Sequence, residues 1–387
     1  MKKAVYLDHA ATTPLHPKVF EVMSDFLRND FGNPSSVHSY GRSSRVKIEA
    51  ARETIAEIIN AHPAEIYFTS NGTEANNFAL FGITKTKFAE SGESGIITAE
   101  NEHHCILEPA ESLVKDGFRL TMLKPRNDGT IDPDTLNSVL NADISLAAFM
   151  LINNETGSVN DVAKLSDTAI NKQINFHTDA VQAFGKYQID VKKLSISTMA
   201  VSGHKINGPK GSGFLYARTG TPIAPLIHGG SQERNRRGGT ENPAAIIGLA
   251  EAARIAVNGI DENFEKVTKL NNYLRAGIIS LDSAGISINS PQTASPYILN
   301  ISFKPEYYTA GSESLIMYFD INGIAASSGA ACASGTTNPS HVLLSLGKSK
   351  TEASAVVRFS FGHDNTIEEL DYTLEVLQKA VKKFRKI

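Results

Sequence analysis

The chain has 387 residues, enough for two domains or for one large domain with a smaller appendage. Hydrophobic residues make up 41% and charged residues 20%, an ordinary globular balance that argues against disorder. A net charge of −3 gives no reason to expect nucleic acid or an anionic membrane as the main partner.

The start, MKKAVYLDHAATTPL, has too few apolar residues before Asp8 for a signal peptide. No stretch approaches the roughly 20 apolar residues of a membrane span. Cys105 and Cys332, the two cysteines, are too few and too far apart for a disulfide framework or a CxxC metal site. A soluble, cytoplasmic protein of a reducing compartment is expected.

Ile48, Ala51, Ile55 and Ile58 repeat at three- and four-residue steps and predict a one-faced helix. Seven β-type runs follow over residues 60–220: EIYFTS, GIITA, RLTML, SLAAFMLI, INFHTDA, ISTMAVS and GFLYA. They alternate with helical stretches, which predicts an α/β fold with a mostly parallel seven-stranded sheet flanked by helices. DENFEKVTKLNNYLRAGIISL reads as a long helix leaving this core. Beyond it, YILNISF, a helix, GIAASSG, AVVRFSF and a last helix predict a smaller α+β unit. That last helix repeats Ile367, Leu370, Leu374, Leu377, Val381 and Phe384, behind a capping box of Thr366 and Glu369.

In open α/β sheets ligands gather at the carboxyl ends of strands. Here five strand ends offer Thr73, His103, Asn154, Asp179, Gln182, Ser202, His204 and Lys205. Gly72 and Thr73 open a helix, whose free N–H groups and dipole favour an anion. Gly203 and Gly208 suggest a phosphate loop, but that motif needs Lys followed by Ser or Thr, and Pro209, Lys210 and Gly211 stand there instead. A lysine beside a phosphate site has another use, as the amine that forms a Schiff base with pyridoxal phosphate. That cofactor also needs a carboxylate at its ring nitrogen. Asp179 lies 26 residues before Lys205, enough for one strand–helix–strand excursion. The competing readings are a helix cap for Asp179 and a solvated loop lysine for Lys205.

His103, His104 and Cys105 form no credible metal site, because adjacent side chains seldom converge on one ion; no metal is expected. Cys105 reads as a packed, inert thiol. Cys332 stands in SSGAACASGTTNPSH, a small-residue tract that suits a reactive thiol, with a buried strand-end cysteine as the alternative.

YLDHAATTP, FGNPSSVH, FTSNGTEANN, NNETG, HTDAVQAFGK, SGHKINGPKGSGFLY, HGGSQERNRRGGTEN, SSGAACASG and VRFSFG together resemble the cysteine desulfurase family. These are pyridoxal-phosphate enzymes of the class V aminotransferase group, in the branch of the NifS and IscS proteins. The matches run in the family's order from Tyr6 to Gly362. The resemblance implies that Lys205 forms the Schiff base, Asp179 pairs with the ring nitrogen and Gln182 binds the phenolic oxygen. It implies that His103 stacks on the ring and shuttles protons, and that Asn154 supports cofactor and substrate. Gly72, Thr73, Ser202 and His204 would hold the phosphate, with Thr240 reaching the phosphate of a partner subunit in a homodimer. Arg358, helped by Asn33, would clamp the substrate carboxylate, and Cys332 would be the nucleophile. The implied reaction turns L-cysteine into L-alanine and passes the sulfur, as a persulfide, to a scaffold for iron–sulfur assembly or to another acceptor such as one for tRNA thiolation. The expected division is a cofactor-binding domain over 17–258 and a small domain of 1–16 and 259–387, which carries the cysteine loop and the arginine.

Two departures stand out. Ala330 replaces the last serine of the family's S-S-G-S-A-C, and the tail that some relatives use to dock a scaffold is short. A selenocysteine lyase, another class V enzyme or a non-catalytic sulfur-relay scaffold are the rival readings.

Overall fold

The computed structural model describes residues 4–329 and 338–386. The strands in chain order are β1 (Val5–Tyr6), β2 (Ile66–Thr69), β3 (Gly95–Ala99), β4 (Arg119–Leu123), β5 (Ile144–Ala148) and β6 (Asn175–Asp179). They continue with β7 (Thr198–Ser202), β8 (Gly213–Ala217), β9 (Ile286–Ile288), β10 (Ile298–Phe303), β11 (Ile324–Ala325) and β12 (Val356–Ser360).

All seven expected runs pair into one sheet of order β2-β8-β7-β6-β5-β3-β4, with β8 the single antiparallel member. Apolar residues on both faces bury it under helices, the usual condition of a mainly parallel sheet. The run SLAAFMLI is longer than its strand. β5 ends at Ala148 because the Met150 N–H turns to the Glu102 carboxylate, while Phe149 and Leu151 still donate to His177 and Asp179 of β6. The parallel register leaves the carboxyl ends of β3, β5, β6 and β7 along one edge.

A second core gathers Val5 and Leu7 with Leu270, Ile301, Phe319, Phe359 and Leu377. It packs around the antiparallel sheet β12-β10-β9 and the parallel pair β1-β11, so the N-terminal strand lies with the C-terminal elements. Helices Pro243–Asn258 and Ile260–Asp282 meet at 69° between the two cores; no single described helix is long and apolar enough to cross a membrane. The capping box of Thr366 and Glu369 is present at the helix Ile367–Phe384.

The edge of β2 is covered without another strand. Arg52 donates to the Ile66 carbonyl at 2.7 Å and grips Glu233 with two bonds of 2.8 Å; Glu233 in turn accepts the Phe68 N–H at 2.8 Å. Both side chains are about 1% exposed. The pair holds Glu233, Arg234 and Asn235 at positive φ, in the loop that leads to Thr240. Breaking one side of such a pair strands a buried charge, at a cost of about 3 kcal/mol or more. Glu233→Ala should therefore lower the urea unfolding free energy by about that amount. A loss no greater than that of an exposed ion pair would contradict it.

Candidate active site

The strand ends converge on a cavity of about 290 Å³. Gly72, Thr73, His103, Asn154 and Asp179 line it, as do Gln182, Ser202, His204, Lys205 and Arg358. Asn33 and Thr240 do not; both are exposed, and Asn33 spends its side-chain oxygen on the Ser35 N–H at 2.9 Å. Cys332 and Ala330 lie outside the described residues.

Lys205 sits on the turn Gly203–Lys205 that closes β7, and its Nζ donates to the Ala10 and Ala11 carbonyls at 2.6 and 2.7 Å. Asp179 ends β6. Its Oδ1 accepts from the Val181 N–H and its Oδ2 from Asn76 Nδ2, each at 2.8 Å. Gln182 accepts from Lys186 Nζ at 3.3 Å, which turns its amide nitrogen toward the Ala10 carbonyl at 2.9 Å. Burial, aided by Lys205 and Arg358, pulls the Lys186 ammonium down to about 7.

His103 caps the helix His104–Lys115, its Nδ1 accepting the Cys105 N–H at 3.1 Å. The neutral ring therefore carries its proton on Nε2. Burial lowers its pKa. Cys105 is not merely packed: its Sγ lies 2.9 Å from His103 Nδ1, 2.8 Å from Asn76 Nδ2 and 3.6 Å from Asp179 Oδ2. Burial and the Asp179 charge push this thiol well above its ordinary pKa, so it stays protonated.

Arg358 is 1% exposed. It donates to the Asn154 and Gly329 carbonyls at 2.8 and 3.0 Å and pairs with Asp8 at 2.9 Å. Its Nε remains a buried donor without a partner. Glu155, raised in pKa by burial, accepts from Ser340 at 2.5 Å on the same side of the cavity.

Pyridoxal phosphate fits this set. A helix N-terminus capped by Asn71 supplies N–H groups for a phosphate. A Cβ at Gly72 would come within 2.6 Å of Val181, so only glycine leaves the backbone open there. Ser202 Oγ and Asn154 Oδ1 are buried in the wall with no protein partner, and such groups call for a ligand or water. Among the described residues no three His, Cys, Asp or Glu side chains are placed to hold a metal ion.

A doubly covered, mainly parallel sheet with a lysine, a carboxylate and an anion site at its carboxyl edge is the arrangement of fold type I pyridoxal-phosphate enzymes. The aminotransferase class-V family pattern matches residues 5–373. The cysteine desulfurase IscS of Dictyoglomus turgidum is 44% identical, over 100% of this chain and 97% of its own. The mitochondrial cysteine desulfurase of Saccharomyces cerevisiae is 38% identical, over 100% of this chain and 76% of its own. Among solved structures a NifS-like protein superposes with a TM-score of 0.91 at 34% identity, covering 99% of this chain and 100% of that one. SspA in complex with cysteine does so with a TM-score of 0.81 at 32% identity, over 95% and 100%. The chain belongs to the class V aminotransferase family and, within it, to the cysteine desulfurases of the NifS and IscS type.

Strand-end reasoning picked out residues that line the cavity: Thr73, His103, Asn154, Asp179, Gln182, Ser202, His204 and Lys205. It missed Asn76, His177 and Lys186, which act on the site through other residues or from a helix interior, and also Cys105 and Glu155, which line the cavity themselves. Asp8, Ala10 and Ala11 also escaped it, because nothing local in LDHAATTP says that it crosses to Lys205 and Arg358.

Buried histidines make the folded protein sensitive to acid. Burial holds His177 to about 3, and His9 and His204 to about 4. Unfolded, each takes up a proton near pH 6.5. Between that pH and about 4 the unfolded chain thus binds more protons, and stability falls as pH falls through the window. The urea midpoint should drop steadily from pH 7 to pH 5; a flat profile would show that these rings already carry their protons when folded.

Proposed function

We propose that the protein is a pyridoxal-phosphate-dependent cysteine desulfurase that turns L-cysteine into L-alanine and retains the sulfur as a persulfide on Cys332. What carries the reading is one cavity that joins the Lys205 amine and the Asp179 carboxylate to a helix N-terminus beside two unpartnered buried oxygens. When bound, pyridoxal phosphate supplies an electron sink for the substrate α-carbon.

The chain's residues do the rest. Lys205 Nζ would hold the cofactor covalently at rest and take the substrate α-proton once freed. Asp179, anchored through both oxygens, would hold the ring nitrogen, and Gln182 Nε2 the phenolic oxygen. Gly72, Thr73, Ser202 and His204 would bind the phosphate. His103 would cover the ring and offer Nε2–H to the cavity. Arg358 and Asn154 would orient the substrate carboxylate, since a guanidinium fork matches a carboxylate. The Cys332 thiolate would attack the substrate sulfur: an S–S bond forms, the substrate Cβ–Sγ bond breaks and its carbon gains the proton that makes alanine.

A homodimer belongs to this reading. Phe31 is 79% and Val37 88% exposed, with Tyr40 and Val46 beside them in the sequence, an apolar surface of the kind that subunits cover. Thr240 would then reach the partner's phosphate site. The sulfur would pass to a protein acceptor, an iron–sulfur scaffold or a tRNA-thiolation factor.

Incubation with L-cysteine and a reductant should give alanine and sulfide in equal amounts. Borohydride should fix the cofactor to the peptide bearing Lys205, and Lys205→Ala should abolish turnover. Cofactor fixed to any other lysine would refute the assignment. After brief exposure to L-cysteine and alkylation, the Cys332 peptide should be one sulfur atom heavier and the Cys105 peptide unchanged. Persulfide on Cys105 alone, or full desulfuration by Cys332→Ala, would move the nucleophile elsewhere.

A further inference from the structure

Behind Asp179 lies a chain of three side chains, each wholly buried: Asn76, His177 and Thr198. Asn76 Nδ2 is 2.8 Å from Asp179 Oδ2, Asn76 Oδ1 is 2.8 Å from His177 Nε2, and His177 Nδ1 is 2.8 Å from Thr198 Oγ1. The fold brings them together by register. His177 and Asp179 are two apart on β6 and so share a face, and Thr198 of β7 pairs with His177. Asn76 comes from the helix Gly72–Ser91, one turn beyond the glycine that opens it.

The direction of every bond follows from the first. A carboxylate only accepts, so Asn76 must present its amide nitrogen to Asp179 and its oxygen to His177. An amide oxygen also only accepts, so His177 must carry its proton on Nε2. Nδ1 is then a lone pair, and the Thr198 hydroxyl must donate to it. A second proton on His177 would face that hydroxyl as donor against donor unless it turned, and burial opposes the charge in any case.

We propose that Asn76, His177 and Thr198 are positioning residues that lock the Asp179 carboxylate and fix its place relative to the helix N-terminus at Gly72. The chain thereby sets the spacing between the two ends of the cofactor site, one on β6 and one on a helix. It touches neither substrate nor cofactor. The inference rests on the reading of the cavity as a pyridoxal-phosphate site, and the test separates the two.

Nitrogen-15 spectra of selectively histidine-labelled, cofactor-free full-length protein should show His177 as the Nε2–H tautomer throughout pH 5 to 8. An Nδ1–H tautomer, or proton uptake near pH 6.5, would overturn the relay whether or not the cofactor binds. Thr198→Val should disturb the His177 signals and Thr198→Ser restore them. The cofactor end is read by titrating cofactor-free protein with pyridoxal phosphate. Asn76→Leu removes one hydrogen bond to a charged group and should weaken binding about tenfold to a hundredfold. Thr84→Val, a buried polar site on the same helix away from Asp179, controls for general damage and should bind as the parent does. Equal affinity for Asn76→Leu and Thr84→Val would overturn the positioning role. A parent protein that binds no pyridoxal phosphate would instead refute the site itself.

Discussion

A carboxylate that is 7% exposed at the end of a strand must have its lone pairs filled, and most of this site is arranged around doing so for Asp179. One oxygen is filled by the backbone two residues on, which any tight turn after β6 supplies. The other is filled by Asn76, which belongs to a different element and is itself oriented by His177. Cys105 Sγ packs against the same oxygen from a third element, and His103 Nδ1 packs against that sulfur. The carboxylate is thus the point at which β6, the helix after β2 and the helix after β3 are brought into fixed relation. A carboxylate held from behind keeps its remaining acceptor capacity toward the cavity, where a protonated ring nitrogen would need it.

The opposite wall depends on the N-terminal segment. Asp8 pairs with Arg358, the Ala10 carbonyl accepts from both Lys205 and Gln182, and the backbone N–H and hydroxyl of Thr13 both donate to the His204 carbonyl. Because β1 is fastened to β11, this strap couples the second core to the turn that bears Lys205. Lys186 acts from the same direction. Buried, and with an ammonium that loses its proton near neutrality, it faces Gln182 and fixes which end of that amide points away.

How much of this was legible in the sequence varies residue by residue. Lys205, Asp179, Ser202 and His204 announce themselves because polar residues are rare where an apolar strand stops, and a parallel sheet sends such stops to one edge. His177 is equally visible in FHTDA, yet mid-strand it reads as a satisfied core histidine until its partners are known. Cys105 shows the reverse error. Its apolar surroundings predicted a packed thiol, and it is buried, but they gave no sign of its contact with Asp179.

The sequence by itself determined the alternation of strands and helices, the seven sheet strands, the caps and the strand-end residues, because these depend on side-chain period and on neighbours within a turn or two. The tertiary structure alone decided that Asn76 meets Asp179, that LDHAATTP crosses to Lys205 and Arg358, and that Arg52 seals the edge of β2 through Glu233. It also left Asn33 exposed, off the cavity its motif suggested. Contacts between residues a hundred or more apart depend on strand order and register, and local periodicity carries neither.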